Sequence, residues 1–211
     1  MADFIIKSAA GTGNKTLIQG QDQSGSNYAI QVGDGGDVTF GGTVTGAGVQ
    51  CAQQFMLTSS KTGVTSGSDI TANISEISSI GAISSNTSSH GSLVSQSSGI
   101  FSFSKTGIYH IIFDGKTTQT SDSEYVLQNI KTTVNAASSN TYVVVAEDVS
   151  SRVLETGSDG LEQVISQCFF DVTSTTNCKC KFAVSAGTSS DWRGHATIPM
   201  TKFMFIRISD T

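Results

Sequence analysis

Three observations predict an all-β fold: the composition, an alternation of apolar and polar residues with a period of two, and glycine-bearing turns at short intervals. Of 211 residues, 22 are glycine and only 1 is proline; charged residues make up 14%, and 11 phenylalanines are present. Helices favour Ala, Leu, Glu and Lys, whereas strands favour β-branched and aromatic residues set between short polar turns. A net charge of −5 is small for a disordered chain, and the phenylalanines sit inside strand-like runs. The length suits one medium domain with a real core, plus an appendage.

Residues 1–48 form a segment of their own. Short strand candidates at 4–7, 16–19, 28–32 and 37–40 are separated by glycine-rich turns, a spacing that fits successive hairpins. Each strand is too short and too polar to hold a core alone, so the segment gains stability by packing on copies of itself or on a larger partner. A flexible arm that orders on docking is the other reading. No helix and no Gly-Lys-Ser/Thr follows the Gly-x-Gly runs, which argues against a phosphate loop. The Gly/Ala/Thr joint at 43–48 marks the boundary with a main domain at 49–211.

The main domain opens with a strand at 51–57 (CAQQFML). Residues 58–98 are rich in Ser and Thr and read as a long surface excursion with one or two edge strands. Ile74, Ile77 and Ile80 recur at steps of three, which also fits a helical turn. The centre of the domain is 98–116 (SGIFSFSKTGIYHIIFDGK), expected as a hairpin turning at Lys105-Thr106-Gly107. Phe101 and Phe103 alternate with serines before the turn; Tyr109, Ile111 and Phe113 share one face after it. Further strands are expected at 125–136, 141–149, 162–172 and 178–186. The closing strand, 202–209 (KFMFIRIS), is apolar on both faces, so one face should meet the core and the other a second subunit.

Several function classes are disfavoured. A sequence pI near 5.0 with no basic stripe argues against nucleic acid. No apolar run approaches the roughly 20 residues of a membrane helix, and 1–15 does not read as a signal peptide. Cys51, Cys168, Cys178 and Cys180 form no Cys-x-x-Cys, and no histidine lies at ligand spacing, so free thiols in a reducing cytosol are expected and no cofactor or metal. Cys178 and Cys180 share a strand face, which suits buried small hydrophobes better than zinc. Asn14, Asn73 and Asn86 match a glycosylation pattern by coincidence in a Ser/Thr-rich chain. Catalysis by paired carboxylates finds only Glu147-Asp148, Asp122/Glu124 and Asp159/Glu162, and adjacent strand residues point to opposite faces. His90, His110 and His195 are far apart, and no Ser-His-Asp set stands out. The chain is not expected to be an enzyme.

Gly99-x-Phe101-x-Phe103-x-x-x-Gly107-x-Tyr109-x-x-x-Phe113 resembles the aromatic hairpin of the tumour necrosis factor / complement globular-head superfamily, and KFMFIRIS agrees with its aromatic last strand. The resemblance covers about residues 51–211. It implies a β-sandwich jelly roll that assembles as a trimer, with Tyr109, Phe113, Phe203 and Phe205 in or near the three-fold contact. The excursion at 58–98 departs from that family's compact spacing. The calcium carboxylates of some relatives cannot be placed here, with Asp122 and Glu124 the only candidates. The front segment, FIIKSAAGTGNKTLIQGQDQSGSNYAIQVGDGGDVTFGGTVTGAG, is similar to the opening of tail-fibre and other virion structural proteins of bacteriophages, especially marine ones.

Together these features lead to the expectation of a homotrimeric virion structural protein, a short fibre or a capsid or tail decoration. It would be assembled in the host cytoplasm and mounted on the virion surface, against other virion proteins, through its N-terminal segment. The alternative is a head that binds a host glycan or protein. Its motivation is the loop at 187–199 (GTSSDWRGHATIP), with Trp192, Arg193 and His195 as the partner-binding candidates. Trp192 plugging the end of the sandwich is the competing reading for that loop.

Overall fold

The chain divides into two units, Met1–Ala47 and Gly48–Thr211. A computed structural model describes residues 15–21, 27–32, 38–40, 51–77, 92–119, 123–138, 141–152 and 160–210. In the first unit β1 (Lys15–Gln21), β2 (Asn27–Val32) and β3 (Val38–Phe40) form an antiparallel sheet in that order. Lys15 pairs with Val32 and Gln21 with Asn27, with an irregularity between Thr16 and Ile18. These strands answer to the expected hairpin series; the candidate at 4–7 lies outside the described residues.

The second unit holds two antiparallel sheets. Its strands are β4 (Cys51–Leu57), β5 (Lys61–Val64), β6 (Ser68–Asp69), β7 (Ile74–Glu76), β8 (Val94–Ser97), β9 (Ile100–Phe103) and β10 (Gly107–Gln119). After them come β11 (Ser123–Thr133), β12 (Val143–Arg152), β13 (Gly160–Val172), β14 (Lys179–Ala186), β15 (Ser190–Trp192) and β16 (Lys202–Ser209). The first sheet runs β5-β15-β10-β16-β4-β7, with β13 on the other side of β10; the second runs β12-β11-β14-β9-β8, with β6 on β14. The chain crosses between sheets at β5–β6, β6–β7, β7–β8, β9–β10, β10–β11, β12–β13, β13–β14 and β14–β15, and β16 lies between β10 and β4. Such wrapping of one chain around two sheets is a jelly roll.

This strand order corrects the expected central hairpin. β9 pairs with β8 and β14 in the second sheet, whereas β10 pairs with β13, β15 and β16 in the first. Residues 104–106 therefore span the sandwich instead of turning within a sheet. Alternation identifies an inward face but not the neighbouring strand, and both strands point their rings into the same interior. Gly107 has φ +136°, and a side chain there would run into the Ser209 carbonyl and the Arg207 guanidinium. In the excursion, Ile74 heads β7 rather than a helical turn, and Ile80 lies outside the described residues.

The core is a continuous ring cluster between the sheets. Phe101 meets Phe55 edge-on at 5.2 Å and Phe182 at 5.1 Å, and Phe182 lies 4.6 Å from Phe203. Phe103 and Tyr109 bring β9 and β10 together at 4.8 Å. Tyr109, Phe113, Phe203 and Phe205 all belong to this cluster and are fully buried within one protomer. That corrects their expected place in a contact between copies: no second chain can reach side chains already sealed between the two sheets.

Buried amides tie the sheets where rings do not. Gln53 Nε2 donates to the Val94 carbonyl at 2.9 Å, and its Oε1 accepts from the Leu93 and Val94 amides at 2.8 and 2.7 Å. This satisfies the outer backbone edge of β8 from β4. Gln128 on β11 likewise donates to the carbonyls of Phe113 and Val164, both at 2.7 Å. At the end of the sandwich Arg207 is fully buried; its Nε donates to the Thr106 carbonyl at 2.9 Å and its Nη2 pairs with Asp210. The hydrogen bond from Arg207 holds the Asp210 carboxyl below its usual range.

Candidate assembly face

The outer face of the first sheet carries an apolar surface. On β16, Phe203, Phe205 and Arg207 point inward, which turns Met204, Ile206 and Ile208 outward. The register places them in rows. His110 lies between Phe169 of β13 and Ile206, and Ile112 lies between Gln167 and Met204. Phe169 is 69% exposed, Leu161 68%, Ile165 46% and Ile208 43%. The His110 ring stands 4.9 Å from that of Phe169, and its Nε2 is 3.1 Å from Gln167 Oε1. Asp114 supplies the polar contact of the next row, with Lys202 Nζ at 2.8 Å and Gln163 Nε2 at 2.7 Å.

A second apolar surface adjoins the first. β12 and β13 are the outermost strands of the two sheets on the same side of the sandwich, and Asp148 Oδ2 accepts from the Ile165 amide at 3.1 Å. Along β12, Val143 is 63% exposed and Val149 50%, with Val144 and Val145 also exposed. Exposed apolar surface that runs over both a face and an edge is a mark of an interaction site.

The loop at 187–199 departs from its expected role at one residue. Trp192 ends β15, pairs with Thr117, and is fully buried against Gly115, so it plugs the sandwich and cannot anchor a partner. Arg193 is half-buried, with its amide donating to the Lys116 carbonyl at 2.7 Å. His195 is exposed; its amide donates to the Leu57 carbonyl at 3.0 Å, and its Nδ1 accepts from the amides of Thr197 and Ile198 at 3.1 Å. The structure thus separates the trio into a core plug, a cleft residue and a turn-capping residue. Arg193 lines a cleft of about 340 Å³ with Lys116, Leu161, Glu162, Gln163 and Met200.

Acidic and thiol groups show no catalytic arrangement among the described residues. Asp148 is engaged by the Ile165 amide, while Glu147 is exposed. Asp122 and Asp159 lie outside the described residues, and the side chain of Glu124 does too. No group of three or more His, Cys, Asp or Glu among the described residues could hold a metal ion. Cys51, Cys178 and Cys180 are buried free thiols. Burial pushes the Cys180 thiol well above its ordinary value and the half-buried Cys168 thiol up to about 11.

No family model matches this chain, and no curated protein does. Among solved structures, a murine APRIL crystal structure at pH 5.0 is similar at 9% identity, covering 74% of this chain and 98% of that chain with a TM-score of 0.49. The structure of Eiger TNF from S. frugiperda is similar at 11% identity, covering 76% of this chain and 93% of that chain, also with a TM-score of 0.49. The jelly roll itself rests on the strand order: β4 beside β16, β16 beside β10 and β10 beside β13 in one sheet, with β12, β11, β14 and β9 in the other.

Proposed function

We propose that this chain is a non-enzymatic, homotrimeric virion structural protein, a short fibre or a capsid or tail decoration mounted through its N-terminal unit. The observation that carries the reading is the pair of adjoining apolar surfaces on one protomer, the β10–β13–β16 face and the β12–β13 edge. The face of one copy against the edge of the next is a heterologous contact, which closes into a ring when the rotation permits. The resemblance of residues 51–211 to the globular-head superfamily supports three as the number of copies. The resemblance of the front segment to phage virion proteins supplies the setting. Native mass measurement tests the assembly, with three times the 22.0 kDa protomer expected. Cross-linking of purified particles tests the mounting: links from the first unit to another virion protein are expected, and their absence removes it.

The alternative, a head that binds a host glycan or protein, is favoured by one observation, the cleft at Arg193.

A further inference from the structure

We propose that the cleft lined by Lys116, Arg193, Glu162, Leu161 and Met200 binds a carboxylate-bearing sugar of monosaccharide size. It gives chemistry to the second reading above and rests on that reading: its lining residues belong to one protomer, and Leu161 is shared with the apolar face of the first reading. Three features carry it. First, the backbone sets the two basic residues opposite each other at the cleft: Arg193 N–H donates to the Lys116 carbonyl at 2.7 Å, and the Lys116 amide donates to Thr201 Oγ1 at 3.2 Å, next to Met200. Second, the cations have no ion-pair partner among the described residues. The ion pairs there join Asp69 to Lys131 and Lys181, Asp114 to Lys202, and Asp210 to Arg207. Meanwhile Gln163 is held by Asp114 at 2.7 Å and Glu162 Oε2 by Gln119 Nε2 at 3.1 Å. Third, the cleft is mixed in character. Its volume of about 340 Å³ lies in the small-ligand range.

The chemistry selects among anions. A guanidinium fork takes a carboxylate through two parallel hydrogen bonds, and the Lys116 ammonium adds a second positive charge. Leu161 and Met200 offer an apolar wall suited to the C–H face of a pyranose ring. Glu162 adds a carboxylate that can accept from a sugar hydroxyl but repels a multiply charged anion. An inorganic phosphate would leave the apolar wall unfilled and meet that repulsion. A neutral sugar would leave the cations without their counter-charge.

Titration of the full chain by calorimetry with glucuronate, N-acetylneuraminate, glucose and inorganic phosphate tests the site. Saturable binding of at least one acidic sugar is expected, with glucose and phosphate at least about tenfold weaker. Arg193→Ala and, separately, Lys116→Gln should each weaken acidic-sugar binding about tenfold or more, with circular dichroism and native mass unchanged. The exposed Lys116 side chain keeps the test intact should Arg193→Ala fail to fold. The proposal is overturned by absence of acidic-sugar binding to the wild type, or by binding that both folded variants retain. It is equally overturned if the wild type binds neither acid and Arg193→Ala lowers the native mass, which makes the cleft a contact between copies.

Discussion

Phe169 gives the sharpest test of the assembly proposal, because its ring contributes to the apolar face and not to the sandwich core. It is 69% exposed in one protomer. A phenylalanine offers about 200 Å² of surface, so about 140 Å² remains to be covered by a second copy. At about 25 cal/mol per Å² this corresponds to about 3.5 kcal/mol for each copy before ordering costs. Phe169→Ala should therefore weaken each contact by a factor in the hundreds, and Phe169→Glu, which adds an unpaired charge, by more. Light scattering after size exclusion over a dilution series reads the result. The wild type is expected to hold a trimer at concentrations where Phe169→Glu runs as a folded monomer with an unchanged circular dichroism spectrum. A wild type that is monomeric throughout, or a Phe169→Glu trimer as stable as the parent, refutes the reasoning.

Three further predictions concern the fold. Gly115→Ala places a methyl against Gln128 Oε1 and within 3.1 Å of the Trp192 indole, and should cost about 1–3 kcal/mol in a denaturant titration. Gln53→Leu leaves the amides of Leu93 and Val94 and the Val94 carbonyl without partners, and should cost about 3 kcal/mol or more by the same assay. Desolvation pushes the Tyr109 hydroxyl from 10.0 up to about 12. The folded state thus holds this proton more tightly than the unfolded state. The associated stability is complete below pH 10 and is lost as the pH rises from 10 towards 12. Melting temperatures over that range should fall less steeply for Tyr109→Phe than for the parent; parallel curves would contradict the assignment.

The inward faces were legible in the sequence because a strand alternates sides at every residue. Alternation places Phe101 with Phe103 and Tyr109 with Phe113 on single faces, and those faces meet in the core. Two things were not legible. Alternation carries no information about which strand lies alongside, so 98–116 read as a hairpin while β9 and β10 belong to opposite sheets. A strand that is apolar on both sides does not reveal which side faces inward. The rings of β16 face the core, and Met204, Ile206 and Ile208 face outward. The exposed apolar residues of β13 follow from their period-two partners, since Leu161, Ile165 and Phe169 fall on one phase and Val164, Phe170 and Val172 on the other. The cleft had only one sequence signal, Arg193; Lys116 and Glu162 reach it through a register that joins residues far apart in the chain.

The place of β16 governs how the unit can be made. Arg207 pairs with Cys51 on one side and Tyr109 on the other, so an eight-residue strand at the far end of the unit separates two strands synthesised long before it. Until it is threaded in, β4 and β10 have no common neighbour and the cluster at Phe101 lacks both Phe203 and Phe205. Cooperative closure must wait for nearly the whole of this unit, the slow regime of long-range pairing. A nascent chain stalled before residue 202 would present greasy, half-built layers to its surroundings, and chaperone capture would be greatest in that interval.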